Sequence, residues 1–341
     1  MKAVIDAARR QRPHNPDDAV QTLVSSLEAG LWRHWTLWAE LVSLITDPAD
    51  YERVRALWLS SPRQCHTSVP ILRTVARAAS VCGRHEEARM LLRSAILVQA
   101  RRTSRLRARA GRIKRSLQQR LPLLRAAQAF DARAATAMTD LNNELANLGV
   151  RAFLISGTLL GYVRDSGFIP WDKDIDVGFF TSEIAPAELE KAFAQSPVFS
   201  IRRLDLSSDR LRVNHANGVM IDVFPHYQGD DGLIWHDGTA TRWWNTPFGL
   251  TTVEFLGRSQ FVPDPPERYL DENYGNWRVP NPHFDARLDA PNVEVTDHEY
   301  LVTLYYFSLL DAISKGNAVK RARYIELLRG QGEGSWLDRL T

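Results

Sequence analysis

Hydrophobic positions in the first hundred residues recur at helical spacing. A tryptophan stands at every third position from Trp32 to Trp38, and a stripe of this kind is typical of the buried face of a helix. The segments 47–58 and 81–92 align at an offset of 34 residues, which is the period of tetratricopeptide helix pairs. The pattern predicts an all-α, repeat-like (TPR-like) domain over residues 1–100, either an interaction module for a protein partner or a structural support.

The hydrophobic pattern changes from about residue 125 onward. A helical pattern ends at Gly149, a residue type that favours helix C-termini, and the short apolar run VRAFLIS follows it. A second apolar run, RLRVNHANGVMIDVFPHY, predicts two strands joined by a turn at Asn217-Gly218. Two amphipathic helix patterns close the chain. Helices mixed with strands predict an α+β domain with a mixed sheet over residues 125–341.

Composition places the chain among ordinary globular proteins. Of its 341 residues, 44% are hydrophobic and 24% are charged. The first residues lack the apolar core of a signal peptide, and no apolar run approaches the roughly 20 residues that span a bilayer. Cys65 and Cys82 are the only cysteines, too few for a disulfide framework or a zinc cage. We therefore expect a reducing, cytoplasmic location.

The charges are divided unevenly along the chain. Residues 1–120 hold 22 Lys and Arg against 10 Asp and Glu, although the net charge of the whole chain is only +3. Nine basic residues and no acidic ones lie within residues 101–120. We interpret residues 101–124 as a basic linker helix. It is either a solvated connection or a dock for a polyanion, such as anionic lipid at the inner face of the membrane, a phosphate-rich glycan or nucleic acid.

Three aspartates, Asp172, Asp174 and Asp176, alternate within the apolar stretch FIPWDKDIDVGFF. Residues two apart on a strand project from the same face at about 6.6 Å, so Asp174 and Asp176 repel each other unless a cation joins them. Asp222, in the apolar strand GVMIDVFP, is a third acid that needs a cation. Carboxylate oxygens suit Mg²⁺ or Mn²⁺. The sequence predicts a metal site at Asp174, Asp176 and Asp222.

A phosphate-binding segment is predicted just before these acids. Ser156-Gly157-Thr158 follows a strand and opens a helix, where free backbone amides attract phosphate and Thr158 can add a hydroxyl. Arg164, further along the helix, can grip phosphate oxygens with both arms of its guanidinium group. A phosphate cradle beside a carboxylate-bound metal is what phosphoryl transfer requires.

The segment GTLLGYVRDSGFIPWDKDIDVG closely resembles the signature of the LicD/fukutin family, and the similarity extends over roughly residues 128–285. The resemblance implies a nucleotidyltransferase fold. It also implies transfer of a phosphorylated alcohol, such as phosphocholine or ribitol phosphate, from a CDP-activated donor to a glycan or lipid-linked glycan. Two positions depart from the family pattern, because this chain has Asp165 where a histidine is common and Lys173 where a further carboxylate is common.

The resemblance gives a role to most of the candidate residues, and Asp172 and His283 are added to them from their positions in the sequence. It implies that Asp174 and Asp176 are metal ligands and that Asp222 is the third acid, which completes the metal site or takes the acceptor proton. The predicted contacts with substrate are Gly157, Thr158, Arg164, Asp172 and His283.

Together with the predicted metal and phosphate sites, the resemblance implies a metal-dependent transferase that modifies cell-surface polysaccharide. Two alternatives stay open at this point. The same parts could serve a nucleotidyltransferase that attaches the nucleotide itself to an acceptor. The catalytic domain could also be inactive, with the helical domain acting as an adaptor for partners.

Overall fold

A computed structural model of the chain describes residues 1–12, 15–45, 47–110, 120–169, 174–202 and 209–340, with side chains omitted at 105–110 and 120–129. Asp172 and the middle of the predicted basic linker, residues 111–119, lie outside the described residues. The chain divides into two units. The helical unit comprises the described residues of 1–110 and 297–340, and the sheet unit comprises those of 120–296.

The helices, in chain order, are α1 (Lys2–Gln11), α2 (Pro16–Ser26), α3 (Trp35–Val42), α4 (Pro48–Ser60), α5 (Val69–Val81), α6 (His85–Ala110), α7 (Arg120–Asn147), α8 (Ser156–Asp165), α9 (Pro186–Gln195), α10 (Pro266–Tyr274), α11 (Ala286–Asp289), α12 (His298–Lys315) and α13 (Ala318–Gly330). The strands are β1 (Phe153–Leu154), β2 (Asp174–Phe180), β3 (Phe199–Arg202), β4 (Leu211–His215), β5 (Met220–Gln228), β6 (Ile234–Asp237), β7 (Thr241–Asn245), β8 (Gly249–Phe255), β9 (Arg258–Asp264) and β10 (Val293–Val295). Single helical turns occur at Leu27–Leu31, Cys65–Thr67 and Leu337–Leu340.

The helical unit combines α1–α6 with the two C-terminal helices α12 and α13. Asp47 caps α4 through a reciprocal pair of hydrogen bonds with Asp50, and Asp297 caps α12 by accepting from the amide of Tyr300. The TPR-like repeat stays a prediction, although α3 and α5 begin 34 residues apart. No helix in the described parts of the chain combines the length and apolarity needed to cross a membrane.

The C-terminal helices pack with the N-terminal ones, which differs from the sequence-based division at residue 125. Helix α12 lies against α6. Arg89 pairs with Glu299 at 2.5 Å, and Arg93 pairs with Glu333 at 2.8 Å. Periodicity identifies the apolar face of a helix but not the element that covers it, so the sequence assigned residues 298–341 to the catalytic domain. The predicted linker also differs, because its first ten residues continue α6.

The sheet unit holds a mixed sheet in which the strand order is β10-β7-β6-β5-β2-β1-β9-β8, with β4 and β3 added beside β5. The pairs β2–β5 and β1–β9 are parallel, and the other pairs are antiparallel. This arrangement confirms the predicted mixed sheet. Gly218, at φ +89°, occupies the left-handed region in the turn between β4 and β5, and the hairpin predicted at Asn217-Gly218 is therefore confirmed.

The core of the sheet unit lies on the side of the central strands opposite to the candidate acids. Ile175 and Val177 on β2, and Ile221 and Val223 on β5, are almost fully buried. The burial of β2 alternates residue by residue at its start, as expected for a strand with one covered face. Asp174, Asp176 and Asp222 project from the face opposite to these four residues.

Candidate active site

Three carboxylates meet on one face of the two central parallel strands. Asp174 and Asp176 are two residues apart on β2, and Asp176 is directly opposite Asp222 on β5. Residues directly opposite each other on paired strands project to the same face. Asp222 is buried, with 4% of its surface exposed, whereas Asp174 is half-buried. The structure therefore brings together the three acids that the sequence singled out.

Arg212, which was not among the residues predicted from the sequence, supplies a positive charge to this acidic cluster. It lies on β4, opposite Asp222 on β5. Its Nε donates to Asp222 Oδ1 at 2.5 Å, its Nη2 donates to Asp222 Oδ2, and Nη2 is 3.6 Å from Asp174 Oδ2. Burial lowers the pKa of Arg212, but the hydrogen bond and charge of Asp222, with the other acids, outweigh burial and raise it.

The hairpin turn contained a signal for this residue. Arg212 and Asp222 lie five residues on either side of Asn217, so a hairpin centred on that turn pairs them across the strands. The bidentate pair satisfies the charge of a carboxylate that would otherwise be buried alone. Arg212 therefore holds Asp222 in place and partly neutralises the cluster.

The start of α8 supports Asp176 directly. The Gly157 amide donates to Asp176 Oδ2 at 3.1 Å, and the Thr158 hydroxyl accepts from the Asp176 amide at 2.9 Å. A carboxylate at a helix N-terminus is stabilised by the free amides and by the helix dipole. Ser156 turns the chain from β1 into this helix with a left-handed φ of +48°, a strained conformation that is common at functional sites.

These contacts refine the roles predicted for the two residues. Thr158 is fully buried, and its hydroxyl faces the backbone of β2. We therefore interpret Gly157 and Thr158 as residues that position Asp176. Further amides at the start of α8 would be the groups available to a phosphate.

Arg164 lies at the other end of α8, eight residues from Ser156 and thus about 12 Å along the helix axis. Its Nε and Nη2 donate to the carboxylate of Asp165 at 3.1 and 2.9 Å, and its Nη1 donates to the carbonyl of Trp277 at 3.3 Å. The two-armed grip predicted for a phosphate is therefore taken up by Asp165.

A cavity of about 540 Å³ opens beside this end of α8, and its lining includes Leu160, Arg164, Tyr274, Asn281 and Phe284. Its volume is within the usual range for small-molecule sites. His283 lies between two lining residues but is not itself in the lining. Its amide donates to Asn281 Oδ1 at 3.0 Å, and its buried Nδ1 has no hydrogen-bond partner among the described residues. The lining of this cavity thus includes Arg164 but neither His283 nor any of the three acids.

The donor chemistry of the cluster fits a hard divalent cation. The carboxylate oxygens of Asp174 and Asp176 project from one face of β2, and such oxygens are the ligands that hard cations prefer. The guanidinium group of Arg212 already places one positive charge beside these acids. Within the part of the chain that the structure describes, no group of three His, Cys, Asp or Glu side chains is arranged to hold one metal ion. With Asp222 engaged by Arg212, Asp174 and Asp176 are the pair best suited to a metal, and Asp222 would have to leave Arg212 to join them.

Comparison with known proteins finds a family match for the segment that carries this arrangement. Residues 149–264 match the family model described as LicD/FKTN/FKRP, nucleotidyltransferase domain. This range contains the three acids, Arg212 and α8, but not His283.

Named relatives are similar over about half of the chain. The ribitol-5-phosphate transferase FKTN of Mus musculus is 29% identical over 194 residues, which cover 52% of this chain and 42% of that protein. The Homo sapiens protein of the same name is 28% identical over 47% of this chain and 38% of its own length. The ribitol 5-phosphate transferase FKRP of Mus musculus is 26% identical over 40% of this chain and 30% of its own length.

The similarity to these relatives thus spans less than half of their length. The family model covers the strands and the helix that carry the acidic cluster. Residues 149–264 are therefore similar to the nucleotidyltransferase domain of the LicD/FKTN/FKRP family.

Proposed function

We propose that the chain is a transferase that moves a phosphorylated alcohol, with ribitol phosphate as the first candidate, from a CDP-activated donor to a hydroxyl group of a glycan. The observation that carries this proposal is the in-register pair of Asp176 and Asp222 beside Asp174. The relatives suggest the alcohol, since they are ribitol-5-phosphate transferases.

Asp174 and Asp176 would hold the metal of this reaction, Mg²⁺ or Mn²⁺. A bound divalent cation would offset the negative charge of the donor diphosphate. The start of α8 would fix Asp176 through the Gly157 amide and the Thr158 hydroxyl. A carboxylate held in this way loses little conformational freedom when the donor binds, which favours catalysis by preorganisation.

Arg212 would change partners during the reaction. In the structure its guanidinium group engages Asp222. A donor phosphate is a comparable bidentate acceptor, so donor binding would draw Arg212 from Asp222 and leave that carboxylate able to accept a proton. Asp222 and Arg212 would then act as a base and a phosphate contact.

The proposed bond changes are those of a substitution at phosphorus. The oxygen of the acceptor hydroxyl forms a bond to the phosphorus that carries the alcohol, and its proton passes to Asp222. The bond from that phosphorus to the bridging oxygen breaks, and CMP leaves with the electron pair. No other reactant is required.

The cavity beside Arg164 would receive the end of the donor that is remote from the reacting phosphorus. Arg164 would reach a phosphate only after it releases Asp165, because Asp165 occupies both arms of the guanidinium group. The cavity volume of about 540 Å³ is suited to a nucleoside or a short polyol.

Incubation of the purified chain with a glycan acceptor, Mg²⁺ and CDP-ribitol, CDP-choline or CDP-glycerol tests the proposal, with the product identified by mass spectrometry. The proposal requires CMP release and a product that carries the alcohol phosphate. A product that carries CMP would instead identify a nucleotidyltransferase. Absence of turnover with all three donors, under conditions in which their binding is measurable, would favour the inactive adaptor.

A further inference from the structure

The helical unit contains a second concave site, far in sequence from the acidic cluster. A cavity of about 350 Å³ lies between the C-terminal part of α6 and the segment that joins α12 to α13. Three arginines line it: Arg101 from α6, Arg321 from α13 and Arg339 from the C-terminal turn. No acidic side chain is among the lining residues that the structure describes.

These three arginines differ from many others in the same unit. Arg9, Arg55, Arg84, Arg89, Arg93 and Arg329 each pair with a carboxylate. Arg101, Arg321 and Arg339 make no ion pair among the described residues. The positively charged guanidinium groups around one cavity repel one another. An anion bound in the cavity would attract all three and so offset this repulsion.

The polar groups that line the cavity are suited to a ligand with several oxygen atoms that accept hydrogen bonds. Ser104 contributes a hydroxyl to the lining, whereas the Thr103 hydroxyl already donates to the carbonyl of Gln99 at 3.0 Å. Arginine is well adapted to phosphate because its planar fork donates two parallel hydrogen bonds.

We infer that this cavity is a binding site for a phosphate group carried by a small molecule or a lipid headgroup. The three arginine charges provide the affinity. The volume of about 350 Å³ is near the lower end of small-molecule sites, so it accommodates a phosphate with a short alcohol and not a nucleotide sugar.

Calorimetric titration of the intact chain with inorganic phosphate and with glycerol 3-phosphate tests the site, with glycerol as the uncharged comparison. The test variant is Arg101→Gln/Arg321→Gln/Arg339→Gln. The control variant, Lys2→Gln/Arg10→Gln/Arg63→Gln, removes the same charge from the helical unit away from the cavity. We expect the test variant to bind the phosphate probes at least tenfold more weakly than the parent, and the control variant to bind them within twofold.

Hydrogen exchange gives a second readout that does not depend on substitutions. Bound phosphate should slow exchange of backbone amides at 97–104 and 312–321 in the parent. Failure of the parent to bind either phosphate probe at millimolar concentration overturns the inference. Equal binding by the parent and the test variant, or phosphate protection confined to the sheet unit, overturns it as well.

Vesicles distinguish the two sources of the phosphate group. Displacement of the chain from phosphatidylglycerol vesicles by glycerol 3-phosphate, in the parent but not in the test variant, supports a lipid headgroup. Binding of soluble glycerol 3-phosphate that leaves vesicle co-sedimentation unchanged supports a free phosphorylated metabolite.

Discussion

Replacement of Arg212 tests whether a buried ion pair organises the acidic cluster. The Arg212 side chain is 20% exposed and the Asp222 side chain is 6% exposed. Removal of one partner from a buried pair leaves the other charge uncompensated, at a cost of about 3–5 kcal/mol. Because Arg212 keeps some contact with water, we expect Arg212→Met to lower the free energy of unfolding by about 3 kcal/mol.

Urea denaturation followed by tryptophan fluorescence measures this loss. With a slope of about 2 kcal/mol per molar urea, the unfolding midpoint of the sheet unit should fall by roughly 1.5 M. Arg151→Met is a matched control, because Arg151 also pairs with a carboxylate, Glu183 at 2.6 Å, but is 56% exposed. An exposed pair contributes at most about 1 kcal/mol.

The double variant Arg212→Met/Asp222→Leu separates the ion pair from simple packing. Exchange of a whole buried pair for apolar residues is often close to neutral, so the double variant should recover most of the stability that Arg212→Met loses. Added Mg²⁺ should raise the unfolding midpoint of Arg212→Met more than that of the parent, because the three acids then lack their cation. A loss below 1 kcal/mol in Arg212→Met, or an equal loss in the double variant, would refute this reasoning.

Three further predictions concern the donor, the pH and the basic run. Asp165→Asn should lower the KM for the CDP donor, because it frees the guanidinium group of Arg164. Arg164→Lys should raise this KM, because it removes the guanidinium group. Unchanged steady-state kinetics in both variants would mean that Arg164 has only a packing role. Burial lowers the pKa of His226 to about 4, below its unfolded value of about 6.5. The unfolded chain therefore binds the extra proton first, and stability should fall by up to about 3 kcal/mol as the pH drops from 6.5 to 4. Chemical denaturation across this range should show a flatter profile for His226→Phe, and an identical slope would exclude His226 as the cause. The basic run 101–120 should bind anionic vesicles at low salt and release them at 1 M salt, where the Debye length is about 3 Å. Co-sedimentation should be lost in a variant in which glutamine replaces Arg105, Arg107, Arg109 and Arg112. If this variant binds the vesicles as well as the parent does, the run is only a connector.

Strand periodicity was sufficient to predict the centre of the candidate site. The alternation of acids with Ile175 and Val177 predicted a strand with one covered face, and the structure has that strand as β2. The Asn-Gly turn predicted the hairpin of β4 and β5. Such local signals are reliable because a strand has a period of two and because a tight turn fixes the register.

Features that depend on contacts between distant segments could not be predicted in the same way. The position of α12 against α6 depends on complementary surfaces, and no spacing along the sequence reports them. The capture of Arg164 by Asp165 depends on the rotamers of adjacent side chains at the end of a helix. Arg212 is an intermediate case, since its pairing with Asp222 follows from the hairpin register, but its approach to Asp174 requires the parallel partner β2.

The most direct test of the central claim is the rate of CMP release from CDP-ribitol in the presence of Mg²⁺ and a glycan acceptor. It compares the parent chain, Asp176→Asn and the control Asp230→Asn, whose exposed aspartate lies in a turn of the same unit. If the acids on β2 and β5 form the catalytic centre, Asp176→Asn should release CMP at least about a hundredfold more slowly, while Asp230→Asn should match the parent. Equal rates of CMP release for the parent and Asp176→Asn would contradict the account.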